Sequence, residues 1–226
     1  MLRPGVFKQP ISYHYDLYLP EPTSAPASGP ERAAALLVCL HGYGQTKGAA
    51  LRFGKAVRHR GPVAALQAPH AHHVKRVGAA VGFSWVSSFY PGEDIANHYT
   101  FLRHVVDGAF AEGLTGRREA FLFGFSQSVS LNYRFALAHP DYVAGVVAVA
   151  GATPPSWVGA EVQLDVPVLH LAPAADEAYP SEKTRVFRAV LESSVRDLTW
   201  VDVPGGHRVP SAGYPLIREW LEARTG

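Results

Sequence analysis

The 226-residue sequence predicts an α/β fold in which a mostly parallel central sheet carries helices on both faces. Short apolar runs, typical of buried parallel strands, alternate with segments of helical periodicity along most of the chain. Strands that alternate with helices imply right-handed crossovers and hence a three-layer arrangement. The length and the 47% hydrophobic content favour one domain that spans residues 1–226.

The predicted strands recur along the whole sequence. The first, 11–20 ("ISYHYDLYLP"), alternates aromatic and polar residues as a half-exposed strand does. A Pro- and Ser-rich loop follows and is expected to join it to a neighbouring strand. The later strands are apolar runs at 34–42, 62–69, 119–125, 143–151, 166–173 and 197–204.

Segments of helical spacing separate most of these strands. They lie at 46–61, with Gly61 as a stop, and at 93–113, 127–139, 181–194 and 210–223. In the second helix, one face is expected to hold Ile95, Tyr99, Leu102, Val106 and Phe110. Residues 68–92 lack either pattern and are predicted to form a long irregular segment, which in many proteins is functional.

Composition excludes several classes of function. The net charge is +2 with both signs interleaved, which gives no basis for binding nucleic acid. The first residues lack the apolar core of a signal peptide, and no apolar run is long enough to span a membrane. A soluble cytoplasmic protein is therefore expected. The single cysteine, Cys39, allows no internal disulfide and is predicted to be a small buried side chain.

A serine stands where the strand 119–125 gives way to the helix 127–139. Ser126 in "GFSQS" has two interpretations, an ordinary helix N-cap or a nucleophile on a tight strand-to-helix turn. Such a turn needs small residues two positions away on each side. Gly124 provides the first, and Ser128 stands where the motif has its second glycine. The motif alone leaves both interpretations open.

The context of Ser126 favours the nucleophile. Ligands of open α/β sheets bind beyond the carboxyl ends of the strands. Another strand ends in "LHGYGQT", whose glycines allow a sharp turn with free backbone N–H groups. Together with the N–H of Gln127, this loop could form an oxyanion hole.

A serine nucleophile needs a base, and histidine is the usual one. His207 in "VPGGHRVP" follows a strand and precedes a helix, so that it can reach the same rim as Ser126. The carboxylate that orients the imidazole should follow another strand. Asp176 in "LHLAPAADEAYP" is the preferred candidate and Glu177 the fallback.

The motifs "LHGYG", "GFSQS", "AADEAYP" and "GGHRVP" resemble, in their order and spacing, those of the α/β-hydrolase superfamily. More narrowly, they resemble the phospholipase/carboxylesterase family, which includes acyl-protein thioesterases. The resemblance covers the chain from about residue 36 to residue 220. It implies a three-layer α/β-hydrolase fold and a serine esterase without a metal or organic cofactor.

The same resemblance implies the roles of individual residues. Ser126 corresponds to the nucleophile, Asp176 to the acid and His207 to the base of the family. The backbone N–H groups of Tyr43 and Gln127 correspond to the oxyanion hole. The sequence departs from the family pattern at Ser128 and at the start of the acid loop, which lacks the usual histidine-glycine pair.

The expected activity is hydrolysis of small to medium carboxylic esters. Trp85, Phe89 and Tyr90 lie in "VGFSWVSSFYPGED" and are expected either to line an apolar substrate pocket or only to pack this segment onto the body. A thioesterase on acyl-proteins or small acyl thioesters and a non-catalytic binding protein remain as alternatives. A small-molecule ester is the expected partner, and the oligomeric state stays open, a homodimer being one option.

Three histidines cluster in "APHAHHVKR". His70, His72 and His73 could be metal ligands, since imidazole is a common one. No cysteine or carboxylate pattern accompanies them, so the sequence favours no metal site.

Overall fold

The structure is a computed structural model that describes residues 11–21, 35–74, 78 and 80–225. Within these residues, the strands are β1 (Tyr15–Tyr18), β2 (Leu36–Leu40), β3 (Val63–Leu66), β4 (His70–His73), β5 (Val81–Ser84), β6 (Ala120–Phe125), β7 (Val143–Val149), β8 (Val168–Pro173) and β9 (Leu198–Val203). The helices are α1 (Lys47–Val57), α2 (Pro91–Ala111), α3 (Gln127–Ala138), α4 (Ser181–Ser194) and α5 (Gly213–Thr225).

A seven-stranded sheet forms the centre of the described part of the chain, in the order β1-β3-β2-β6-β7-β8-β9. Only β1 pairs antiparallel, with β3, and the other neighbours in this sheet are parallel. All parallel strands therefore end at one edge of the sheet, and the loops that follow them share one rim.

Each face of the sheet buries its own apolar layer. In β2, Leu36, Val38 and Leu40 belong to the layer that is covered by α2, α3 and α4. Leu37 and Cys39 point the other way, into the layer covered by α1 and α5. A Cβ at Gly54 of α1 would lie 3.1 Å from Cys39 Sγ, so the thiol packs tightly beneath this helix. The mostly parallel sheet with helices on both faces confirms the predicted fold class.

The sequence-based boundaries differ from the structure in several places. β1 is shorter than 11–20 and lies beside β3 rather than β2, while most of the loop predicted after it lies outside the described residues. Helix α1 ends at Val57 because Arg58 adopts a left-handed conformation with φ 58°, so Gly61 is not its stop. Helix α5 begins at Gly213, three residues later than predicted.

The segment 68–92 is not wholly irregular as predicted. It contains the antiparallel β4–β5 pair. Its first strand reads His-Ala-His-His, and these polar side chains hide the strand from a hydrophobicity pattern. In α2, Leu102 and Val106 of the predicted apolar face are buried, and Ile95 and Tyr99 pack against the core. Phe110 is the exception at 46% exposed, and the buried face is wider than predicted because it includes Phe101 and Val105.

Candidate active site

Ser126 lies on a tight turn between the end of β6 and the first residue of α3. Its φ of 57° and ψ of −115° are strained for a residue that carries a Cβ. The side chain makes no capping hydrogen bond to the helix that it precedes. The turn therefore directs the hydroxyl away from α3 and toward the rim of the sheet.

The residues around this turn are small because α3 crosses β6 closely. A Cβ at Gly124 would lie 2.8 Å from Asn132 Nδ2 and 3.2 Å from the backbone N of Val129. Ser128, which replaces the second glycine of the motif, is fully buried. Its hydroxyl accepts a hydrogen bond from the Phe125 N–H at 3.0 Å and lies 3.2 Å from the Leu40 carbonyl, to which it can donate. The departure from glycine is thus accommodated by hydrogen bonds within the turn.

His207, on the loop between β9 and α5, joins Ser126 to Asp176. Its Nε2 lies 2.9 Å from Ser126 Oγ, where it can accept the hydroxyl proton. Its Nδ1–H can donate to both carboxylate oxygens of Asp176, each at 3.0 Å. The carboxylate of Asp176 is nearly completely buried and also accepts the backbone N–H groups of Ala178 and Tyr179, both at 2.9 Å. The three predicted side chains therefore form one continuous row of hydrogen bonds.

Glu177, the alternative acid, contacts the backbone of His207 instead of its ring. Its Oε2 accepts the His207 N–H at 3.0 Å, and this hydrogen bond lowers the pKa of the Glu177 carboxyl. The two adjacent carboxylates thus hold different parts of the same residue. Asp176 orients the imidazole, and Glu177 fixes the loop that carries it.

The loop after β2 approaches the serine turn from the other side. A Cβ at Gly42 would lie 3.3 Å from Ser126 Cβ, so glycine permits this approach. His41 Nε2 accepts hydrogen bonds from the Gln67 side chain at 3.0 Å and the Ala68 N–H at 3.2 Å. Its Nδ1–H is then free to donate to the Gly42 carbonyl at 2.8 Å.

This hydrogen bond also orients the next peptide N–H. In a trans peptide the C=O and the following N–H point in opposite directions. Because the Gly42 carbonyl faces His41, the Tyr43 N–H points away from it. Among the described residues, neither the Tyr43 N–H nor the Gln127 N–H donates to a protein acceptor. Within the described part of the chain, both predicted oxyanion donors therefore have no protein acceptor.

The side chain of Gln127 ties the start of α3 to the end of β5. Its Oε1 accepts the Trp85 N–H at 3.0 Å, and its Nε2 donates to the Ser84 hydroxyl at 2.9 Å. The Trp85 indole N–H in turn donates to the His41 carbonyl at 2.8 Å. These contacts connect α3, the β4–β5 pair and the loop after β2.

The three aromatic residues predicted to line a pocket differ in their environment. Trp85 is only 1% exposed, and its ring packs on those of His41 and His98. Trp85 therefore packs against the interior side of the loop after β2, and it is too buried to contact a substrate. Phe89 and Tyr90 are 84% and 68% exposed in the segment that leads into α2.

The histidine cluster makes structural contacts. His70 donates to Asp94 at 2.9 Å, and the other oxygen of this carboxylate accepts the Ser87 N–H at 2.6 Å. Burial alone would raise the pKa of Asp94, but these hydrogen bonds lower it. The His72 ring stacks on Tyr43 with centroids 4.6 Å apart. Across the residues that the structure describes, no group of three or more His, Cys, Asp or Glu side chains is arranged to hold a metal ion.

The Phospholipase/Carboxylesterase family profile matches residues 23–224. The chain therefore belongs to this family, whose name describes hydrolases of carboxylic esters. A search of curated proteins finds no match. None of the helices in the described residues has the length and apolar character needed to cross a membrane.

Solved structures show the same fold at low sequence identity. The carboxylesterase of Bacillus cereus is 16% identical with a TM-score of 0.67, and the match covers 94% of each chain. Acyl-protein thioesterase 2 of Zea mays is 15% identical with a TM-score of 0.69, over 94% of this chain and 99% of that one. Esterase PE8 is 21% identical with a TM-score of 0.67, over 94% and 99%.

Several residues of the site carry no motif that reveals them in the sequence. Gln67 follows β3, and its contact with His41 depends on the sheet order. Glu177 was the fallback acid in the sequence, but its contact with the backbone of His207 depends on the direction of its side chain. Tyr179 lies three residues after Asp176, and its ring meets that of His207 edge-on at 5.6 Å. The quoted stretch "AADEAYP" contains it, but nothing in its pattern points to this contact.

Proposed function

We propose that this chain is a serine hydrolase that cleaves carboxylic esters of small to medium size through an acyl-enzyme intermediate. The observation that carries the proposal is the row from Ser126 through His207 to Asp176, with contacts of 2.9 Å and 3.0 Å. Membership of the Phospholipase/Carboxylesterase family supports the same reaction class.

The proposed reaction has two chemical steps. His207 takes the proton of the Ser126 hydroxyl while the oxygen attacks the ester carbonyl, and Asp176 stabilises the resulting imidazolium. His207 then gives this proton to the leaving alcohol, and an acyl group remains on Ser126. In the second step, water loses its proton to the same imidazole and attacks the acyl group, which releases the acid.

The negative charge that develops on the carbonyl oxygen needs hydrogen-bond donors. We assign this role to the N–H groups of Tyr43 and Gln127, which the fold leaves unused. Gln127 is also the first residue of α3, and the positive end of the helix dipole favours an anion there. Loss of one such donor typically raises the barrier by about 3 kcal/mol.

Phe89 and Tyr90 remain the proposed apolar contacts for the substrate, since both rings are exposed beside the segment that carries Trp85. The β4–β5 pair is bonded to the loop after β2, with Gly44 N–H donating to the Phe83 carbonyl at 2.9 Å. The segment that carries Phe89 and Tyr90 is short and follows this bonded pair, and we propose no large moving lid. This supports soluble esters of modest size as substrates.

Substitution of the proposed nucleophile tests the function. Ser126→Ala is expected to lower the hydrolysis of p-nitrophenyl butyrate by on the order of 10⁴-fold or more, because the attacking oxygen is removed. A fluorophosphonate probe should label the native protein at residue 126 and should not label the variant. Ser193→Ala, which changes an exposed serine of α4, is the matched control and should keep full activity.

The result separates the proposal from its alternatives. Unchanged turnover in Ser126→Ala would refute the assignment of the nucleophile. A native protein that neither reacts with the probe nor turns over any ester or thioester would be a binding protein with a hydrolase fold. A thioesterase would label at the same serine but would prefer the thioester of a matched pair.

A further inference from the structure

Tyr179 lies on the loop between β8 and α4, which also carries Asp176. Its backbone is held at both ends, because its N–H donates to Asp176 Oδ1 at 2.9 Å and its carbonyl accepts the Thr184 hydroxyl at 3.1 Å. The position of this residue is therefore coupled to that of the proposed catalytic carboxylate.

The ring of Tyr179 points into the site. It meets the His207 imidazole edge-on, with centroids 5.6 Å apart and planes at 62°, and Phe187 packs on it at 5.7 Å. The phenol also interacts with the side chain of Ser126, whose hydroxyl lies 2.9 Å from His207 Nε2. Burial raises the pKa of Tyr179, so the phenol stays protonated and remains a hydrogen-bond donor at neutral pH.

The order of the strands defines the side of Ser126 on which this phenol lies. Ser126 follows β6, and the loop with Tyr43 follows β2, which is the neighbour of β6 on one side. The loops with Tyr179 and His207 follow β8 and β9, which lie on the other side of β6. The loop with Tyr179 is therefore on the histidine side of the serine, opposite the loop that carries Tyr43.

The histidine side is where the leaving group departs. When the tetrahedral intermediate collapses, the carbonyl re-forms, the bond from carbon to the leaving oxygen breaks, and the proton of His207 Nε2 moves to that oxygen. A donor beside His207 can stabilise the negative charge that this oxygen gains. The proton of the donor itself stays in place throughout.

We propose that Tyr179 is a further catalytic residue, whose phenol O–H donates a hydrogen bond to the leaving-group oxygen of an ester. This inference rests on the proposed serine hydrolase function. It also predicts a substrate class, because sulfur is a weak hydrogen-bond acceptor and a thiolate needs less stabilisation than an alkoxide. Tyr179 should therefore favour oxygen esters over thioesters with the same acyl group.

Tyr179→Phe tests this role, since it removes only the hydroxyl and keeps the ring against His207 and Phe187. The substrates are ethyl butyrate and S-ethyl thiobutyrate, which give the same acyl-enzyme. For the variant, kcat/KM, which reports the acylation step, should fall roughly 10- to 100-fold for the ester. It should change less than about twofold for the thioester.

The thioester serves as the internal check that the variant is folded and that its serine and histidine still work. Tyr142→Phe is the matched control, because its phenol lies before β7 at the opposite end of the sheet, against Asp107 and Arg118. This control should leave both substrates unaffected. The lower limb of the pH profile of kcat/KM should also keep its position in Tyr179→Phe, because the phenol acts on the substrate and not through His207.

Three results would overturn the inference: equal losses for the two substrates, no loss for the ester, or a faster ester reaction in Tyr179→Phe. Equal losses would indicate a structural role, and a faster reaction would mean that the phenol only restrains the Ser126 hydroxyl. Failure of the proposed function looks different, since the native protein would then hydrolyse neither substrate and would resist the fluorophosphonate probe.

Discussion

Ser126 stores backbone strain at the point where the proposed chemistry occurs. A φ of 57° with a ψ of −115° costs a residue with a Cβ of the order of 1–3 kcal/mol, whereas glycine adopts positive φ freely. The surrounding turn enforces this conformation through the packing of α3 on β6. The strain keeps the hydroxyl clear of the helix and directed to His207.

This strain can be measured with two variants of residue 126. Ser126→Gly and Ser126→Ala both lack the hydroxyl of the proposed nucleophile, but only the alanine retains the strained Cβ. We expect Ser126→Gly to be more stable than Ser126→Ala by about 1 kcal/mol in urea unfolding, the relief of strain being partly offset by the flexibility of glycine. Equal stabilities, or a less stable glycine variant, would show that the turn holds residue 126 without strain.

At the scale of elements, the β4–β5 pair acts as a support for the loop after β2. Phe83 N–H donates to the Gln45 carbonyl at 3.1 Å, and Gly44 N–H donates to the Phe83 carbonyl at 2.9 Å. The two backbones approach so closely that a Cβ at Gly82 would lie 2.3 Å from the Gly44 carbonyl oxygen. The position of the Tyr43 N–H therefore depends on a strand pair that is remote in sequence.

A methyl group at residue 82 should disturb this support. In Gly82→Ala, the new Cβ meets backbone, which cannot rotate away, so the loop with Tyr43 must shift. We expect kcat/KM for p-nitrophenyl butyrate to fall by up to about 100-fold, because the N–H of Tyr43, the proposed oxyanion donor, would be misplaced. Stability should fall by about 1–3 kcal/mol, as overpacking usually causes.

The control for this variant adds the same methyl group elsewhere. A Cβ at Gly108 in α2 would meet no neighbouring atom within 4 Å beyond its own stretch of helix, so Gly108→Ala should retain activity. Full activity in Gly82→Ala would mean that the β4–β5 pair does not hold the loop. Activity and stability should be measured on the same preparations by ester hydrolysis and urea unfolding.

The elements that the sequence predicts well are those whose apolar runs are long. Because parallel strands end at one edge, the positions of Ser126, Asp176 and His207 after three such strands predicted that the side chains would meet, and the structure brings them together. The β4–β5 pair could not be predicted, since β4 is mostly polar and its His70 contacts Asp94, so no apolar pattern marks the strand.

The directions of individual side chains could not be predicted from the sequence either. Trp85 lies in an aromatic segment that the sequence allowed to line a pocket. Its indole N–H instead donates to the His41 carbonyl inside the protein. Asp176 was the preferred acid in the sequence and Glu177 the fallback, but the part of His207 that each carboxylate contacts depends on the course of the loop. Periodicity locates backbone segments, but such contacts depend on how distant segments pack.

For the molecule as a whole, buried histidines contribute to the response to acid. His98 and His170 are both fully buried, and burial lowers the pKa of each to about 3. In the unfolded chain each histidine has a pKa near 6.5. Below that pH the unfolded state takes up protons that the folded state cannot, so stability is full above about pH 6.5 and declines as the pH falls toward 3.

The decline in stability with falling pH can be measured by urea unfolding at pH 7 and pH 5. Each such histidine should cost about 2 kcal/mol of stability between these two values. His98→Phe should remove the contribution of His98, so the difference in unfolding free energy between pH 7 and pH 5 should shrink by that amount. Phe101→Leu, at a buried position of the same helix that carries no ionisable group, should leave the difference unchanged. The same pH dependence in both variants would contradict this explanation.

Cys39 lies beneath α1, and its burial affects how the protein can be labelled chemically. It is the only sulfhydryl in the chain, it has no solvent exposure, and burial raises its pKa, so it stays in the unreactive thiol form. Maleimide dyes and spin labels therefore find no attachment point on the native protein. A cysteine engineered onto its surface would be a unique handle for spectroscopy, with no background to remove first.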